Sequence, residues 1–245
     1  MKMLLRAEAM KTQWKIVFLL ALLDTLINAA MGVEQLQSLK EFFAPSWTTL
    51  YIHSVNLHSM FFFPLYCGIL ASLLCMYEHR DGGWKIVLGS PGPRHNVFYA
   101  KYLVLIGILA LVQLVFMLGY LAAGKLAGAP GSIPWGTLLY TGLGGWIGIL
   151  PLAALQLIVS IKVRNFGASL ALSVGYVVPN IVLTGFHSAI GAWLPFTIPY
   201  YVMMPQAAIY APRVEPYSLW AITLVTGAAY LLLGQRFLKK ETGYK

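Results

Sequence analysis

The chain has 245 residues, of which 59% are hydrophobic and only 10% charged, and its mean hydropathy is +0.72. Soluble domains carry about 25% charged residues, and disordered chains combine low hydrophobicity with high charge, so both classes are excluded. The formal net charge of +9 suggests nucleic acid in a soluble protein, but in a membrane protein it suggests cytoplasmic loops rich in Lys and Arg.

In chain order, residues 1–13 come first. Met3, Ala7, Met10 and Trp14 recur at helical spacing, with Lys2, Arg6, Glu8 and Lys11 on other sides. This pattern predicts a short helix lying in the inner membrane interface. No cleavable signal peptide is expected, because residues 1–14 lack an apolar core. Six runs then reach the roughly 20 apolar residues that span a bilayer. They are Trp14–Met31, Val55–Met76, Tyr102–Ala123, Thr137–Ile161, Phe166–Thr184 and Leu219–Leu233, the last extending toward Phe237. The connection 34–54 carries Pro45, Trp47 and Tyr51 and reads as an interfacial segment. Residues 185–217 are too apolar for a solvated loop and too broken by Pro195, Pro199 and Pro205 for a span. They predict a helical hairpin dipping into the outer leaflet.

Of the 17 basic residues, 14 fall in the N-terminal segment, the connections 77–101 and 162–165, and the C-terminal tail. Lys40, Lys125 and Arg213 lie on the opposite side. This asymmetry predicts six spans with both termini cytoplasmic. The expected fold class is an all-α membrane protein, with residues 1–245 forming a single transmembrane domain.

Soluble-enzyme chemistry is absent from the sequence. Residues 119–125 imitate a phosphate-binding loop, but Leu126 replaces its hydroxyl residue and the preceding segment is a spanning helix. His53, His58, His79, His95 and His187 form no metal-ligand spacing. Cys67 and Cys75, about 12 Å apart along one helix, are beyond disulfide reach. No metal, no cofactor and no catalytic residue is expected on this chain.

Two polar constellations remain inside the spans. Asp24 and Asn28 share a face of span one, consistent with a protonated Asp24 paired to Asn28. Ser169, Ser173, Tyr176, Asn180 and Thr184 form a continuous stripe on span five. Intramembrane polar groups point to function by default. Asp24, Asn28, Ser169, Ser173, Tyr176 and Asn180 are therefore candidates for a translocation path, the competing reading being helix packing. Gly142, Gly144, Gly145 and Gly148 make a small-residue face for close helix contact.

The connection 77–101 is the most informative stretch. Gly82 and Gly83 permit a sharp turn. Trp84, Val87 and Leu88 form a short amphipathic face, stopped by Pro91 and Pro93. Such an element can dock into a partner's groove. Glu78, Gly82, Trp84, Leu88, Ser90, Pro91, Arg94, Tyr99 and Lys101 resemble the cytoplasmic motif of type-2 ABC-transporter permeases. More narrowly, the chain is similar to six-span permeases of lantibiotic-immunity and bacitracin-type export systems, many of which have a small or hydroxyl residue in place of Trp84.

The resemblance implies an export subunit. ATP would be hydrolysed by a separate ATP-binding cassette subunit docked on Glu78, Arg80, Asp81, Gly82, Trp84, Lys85, Leu88, Pro91, Arg94 and Lys101. Trp84 and Leu88 would be the apolar anchors, while Glu78, Arg94 and Lys101 would orient the element. A second permease copy or sibling permease would complete the path. A lantibiotic-like peptide or hydrophobic compound would be expelled across a bacterial plasma membrane for self-protection. Membrane lipid is an expected partner and nucleic acid is not. The alternatives are a membrane immunity or sensor protein that binds a peptide without an ATPase, and an intramembrane enzyme.

Overall fold

The computed structural model describes residues 1–38, 44–79, 83–84, 93–163, 165–186, 189–206, 208 and 211–240. Among them the chain is helical and contains no strand. The helices are α1 Lys2–Lys11, α2 Trp14–Ser38, α3 Trp47–Leu57 and α4 Phe63–Met76, followed by α5 His95–Leu126, α6 Trp135–Lys162, α7 Phe166–Gly185, α8 Ile198–Met203 and α9 Pro216–Lys240. A single π turn, His58–Phe62, joins α3 to α4, so the two form one spanning unit. All six expected spans are present.

Three boundaries differ most from the hydropathy reading: span one continues past Met31 to Ser38, span two begins at Trp47 rather than Val55, and span three begins at His95 rather than Tyr102. Glu34, Gln35 and Gln37 end the apolar run without ending the helix. His53 and Ser54 lower the local hydropathy, yet both are buried in the bundle. Ser46 caps α3 by accepting the Thr49 backbone N–H at 3.1 Å.

The α3–α4 unit and α6 form the centre, while α7 and α9 are the least covered spans. α4 packs on α6 and α7, α5 on α2 and α6, and α9 on α6. Pro64 sits at the start of α4. Its ring excludes the usual bond to the carbonyl of Met60, four residues back. Asn180 Nδ2 of α7 donates to that carbonyl at 2.6 Å, and the Tyr176 hydroxyl reaches Pro64 O at 3.4 Å. A neighbouring helix thus repairs a proline break inside the membrane.

The broken segment before the last span holds a 3₁₀ turn, Ala189–Trp193, and then α8. Every residue of α8 is buried. Its partner is the glycine face of α6. A Cβ at Gly144 would stand 2.6 Å from Val202 Cγ1, one at Gly145 would strike Met203, and one at Gly148 would meet Ile198 at 3.4 Å. Gly144, Gly145 and Gly148 therefore admit α8, while a Cβ at Gly142 would meet Met117 of α5 at 3.1 Å. Gly144→Leu is expected to push α8 away and remove about 1–3 kcal/mol, lowering the apparent melting temperature by roughly 5 °C. Gly107→Leu has nothing within 4 Å of its Cβ and serves as the unshifted control.

Candidate coupling site

At one end of the bundle three elements meet: α1, the residues just after α4, and the first turns of α5. Each contributes charge. Lys101 of α5 is fully buried. An ammonium has three N–H groups. Here they face Glu8 Oε2 at 2.7 Å, Leu74 O at 2.7 Å and Glu78 Oε2 at 3.0 Å. Leu74 is among the last four residues of α4, whose carbonyls have no helical partner, so Lys101 also caps that helix. Lys11 closes the arrangement from the surface, 3.1 Å from Glu8 Oε1 and 2.7 Å from Glu78 Oε1. Two carboxylates and two ammoniums alternate around a closed ring, which satisfies the requirement that buried charges be paired.

Glu8 is the member that sequence reasoning missed. On α1, Met3 and Met10 of the apolar stripe are largely exposed on the protein surface. Glu8 on another face is turned inward and only 2% exposed. The signal available was an acid amid bases in an otherwise amphipathic helix.

Burial alone would raise the Glu78 carboxyl, but Lys101 and Lys11 beside it outweigh that effect and hold it below its ordinary value of 4.5. The backbone N–H of Trp84 donates to Glu78 O at 3.0 Å, so the same residue anchors the turn that follows.

Trp84 is buried within its own chain, 3% exposed. Its indole Nε1 donates to His79 Nδ1 at 3.0 Å, and His79 Nε2 donates to Ser160 O at 2.7 Å near the end of α6. Lys101 Nζ lies 6.0 Å from the Trp84 ring centroid. Trp84 therefore ties the connection to the bundle through His79. Arg94 stands half-buried at the N-cap of α5. Arg80, Asp81, Gly82, Lys85, Leu88 and Pro91 lie outside the described residues, as does the expected Trp84–Val87–Leu88 face beyond Trp84.

Beside His79 a cavity of about 170 Å³ opens between α4, α6 and α7, lined by Ser72, His79, Ser160, Phe166 and Ser169 among others. The three serines are linked: Ser72 to Ser169 at 2.8 Å, Ser160 to Ser169 at 3.0 Å. The span-five stripe continues along α7 from there. Ser173 accepts from Gln156 Nε2 at 2.6 Å. A Cβ on Gly68 of α4 would strike Ser173, which marks the closest approach of α4 and α7. In this conformation Ser169, Ser173, Tyr176 and Asn180 hold α7 to its neighbours.

Asp24 and Asn28 lie elsewhere, between α2, the π turn and α5. Asn28 Nδ2 donates to Asp24 Oδ1 at 2.6 Å, as the four-residue spacing suggested. The second carboxylate oxygen faces His58 Nδ1 at 2.6 Å, and His58 Nε2 faces Gln113 Oε1 at 3.1 Å. His58 thus joins Asp24, Asn28 and Gln113 in one buried network, a member that the four-residue spacing of Asp24 and Asn28 did not reveal. The π turn puts His58 there, stacked on Phe116 at 3.8 Å and Phe63 at 5.1 Å, and π turns recur at functional sites.

Residues 4–180 match the family model described as ABC-2 family transporter protein. The match runs from α1 into α7 and spans more than half of the chain, so the chain belongs to the ABC-2 family of transporter proteins. It is a multi-pass membrane component of a transporter whose family pairs with an ATP-binding cassette subunit. No curated protein matches the chain.

Proposed function

We propose that this permease expels an amphipathic antimicrobial peptide or a hydrophobic compound from a bacterial plasma membrane, driven by a cassette subunit docked on residues 77–101. Both termini lie in the cytoplasm, α1 lies along the inner interface, and a second permease covers the sparsely buried α7. The observation that carries the reading is the path Trp84–His79–Ser160. It joins the cytoplasmic connection to the inner end of α6 and to the serine-lined cavity. A push on the connection reaches α6 through two hydrogen bonds, while the ring of Glu8, Lys11, Glu78 and Lys101 holds α1, α4 and α5 as one lever. Separation of α7 from α4 would expose the stripe Ser169, Ser173, Tyr176 and Asn180 as the path.

Trp84→Ala removes a large buried side chain, worth about 3–5 kcal/mol of local packing, together with the His79 link. Trp84→Ala and Glu78→Ala are each expected to abolish peptide export from cells carrying the cassette subunit, measured per permease molecule retained in the membrane. Full export in both variants would remove the coupling assignment. Protection that persists after deletion of the cassette subunit would favour the peptide-binding immunity protein instead.

A further inference from the structure

The partners of His79 admit only one form of its ring. At Nδ1 stands the Trp84 indole, whose Nε1–H donates and cannot accept. At Nε2 stands the Ser160 carbonyl oxygen, 2.7 Å away, which accepts and cannot donate. Nδ1 must therefore carry a lone pair and Nε2 a proton. An imidazole has two neutral tautomers and a cation. Of these, only the neutral Nε2–H tautomer makes both bonds.

Protonation breaks one of these bonds and keeps the other. A proton on Nδ1 would set N–H against N–H across 3.0 Å. Turning the ring over brings no relief, because the cation is a donor at both nitrogens. The bond from Nε2 to Ser160 O would strengthen instead, as bonds from a charged donor do. The charged ring thus stays on α6 and lets the indole go. Water can deliver the proton, since His79 is half-buried and lines the cavity of about 170 Å³ beside Ser72, Ser160 and Ser169, a polar space with room for several waters. The elements packed here bring Glu8 and Lys11 from α1, Glu78 beside His79, Lys101 from α5 and the exposed Lys162 at the end of α6, while α7 brings the uncharged Phe166 and Ser169. Carboxylates and ammoniums ordinarily titrate outside the pH window of imidazoles, and Glu78 lies below even its usual value. His79 is therefore the member of this assembly that changes charge near neutral pH.

We propose that His79 is a proton-operated latch on the connection 77–101: neutral, it ties Trp84 to the end of α6, and protonated, it stays on Ser160 and releases the indole. The Trp84 backbone N–H donates to Glu78 O in either state, so the turn holds while the side chain leaves. The release is local, one hydrogen bond within an intact bundle. Its consequence for transport rests on the reading of residues 77–101 as the coupling element. Acid on that side of the membrane would then disconnect a docked cassette subunit from α6.

The test uses the full chain in phosphatidylcholine nanodiscs, labelled with 5-fluorotryptophan, and reads its fluorine resonances from about pH 8 to about pH 5.5. Trp84→Phe assigns the Trp84 resonance by its loss. In the parent protein that resonance should follow a single-proton curve and move toward the position of a solvated indole. In His79→Asn, whose amide oxygen can accept from Trp84 and does not titrate, it should stay in place. Imidazole nitrogen spectra of the parent protein check the same step with residue 79 unchanged. Nδ1 of His79 should gain its proton over the range in which the fluorine moves, while the Nε2 proton persists. A Trp84 resonance that stays still throughout, that moves alike in His79→Asn, or that moves outside the range of the His79 titration would overturn the proposal. Neither measurement needs a cassette subunit. A resonance that follows His79 in a permease whose Trp84→Ala variant still exports would keep the latch and remove only the coupling role.

Discussion

Lys101→Met will loosen the packing of α1 on α4 and α5 and lower the apparent melting temperature of the purified protein by about 10 °C. The substitution keeps the length of the side chain and removes its charge. Glu8 and Glu78, both nearly inaccessible, would then share only Lys11. Removing one partner from a buried ion pair costs about 3–5 kcal/mol, because the charge left behind has no water. For a chain of this size each kcal/mol is worth roughly 2–4 °C. Lys11→Met is the informative contrast. Its side chain is one-third exposed, so water replaces part of what it supplies, and the loss should be about 1 kcal/mol. Equal melting of both variants and the parent protein would show that the ring does not hold α1 to α4 and α5.

The same ring makes a pH prediction. The Glu78 carboxyl sits below its ordinary value of 4.5 in the folded protein. A group lowered on folding contributes its full stabilisation above the unfolded value and loses it as pH falls through the folded value. Melting temperature should therefore change little from about pH 7 to about pH 5 and decline below 4.5. Glu78→Gln should start lower and show a shallower decline.

The sequence made the spans legible because the signal is local: apolar runs of fixed length. It placed the end of span one short because Glu34, Gln35 and Gln37 end the apolar run, and the start of span two short because His53 and Ser54 register as breaks in hydropathy, though burial inside the bundle makes them ordinary members of α3. The glycine face of α6 was visible as small residues, but not that a six-residue helix from the broken hairpin fills it. Asp24 and Asn28 were visible as neighbours four apart on one helix. His58, 34 residues from Asp24 on another helix, carried no such mark. The Glu8–Lys101 contact, across 93 residues, is set by how α1 folds back on α5, and no spacing rule reaches that far.

His58→Phe and Asp24→Leu should each destabilise the protein strongly, and the double variant should recover most of what either one loses. Both groups are wholly inaccessible and surrounded by spanning helices. Either alone leaves a charge or an unpaired polar group where no water can reach it, a loss of about 3–5 kcal/mol. With both replaced by apolar side chains of similar bulk, no buried charge remains, and such replacements are often neutral or stabilising. Asn28 keeps a partner in the double variant, since its Nδ2 also donates to Asp24 O at 2.7 Å. Gln113 alone loses its contact, which leaves a deficit of about 1 kcal/mol. The two single losses and the double loss form a cycle whose interaction energy should reach about 3 kcal/mol, the upper range for residues in one network. Melting curves in a single detergent measure all four corners. Losses that simply add would show that Asp24 and His58 do not stabilise one another, and their coupling inside the membrane would have to be abandoned.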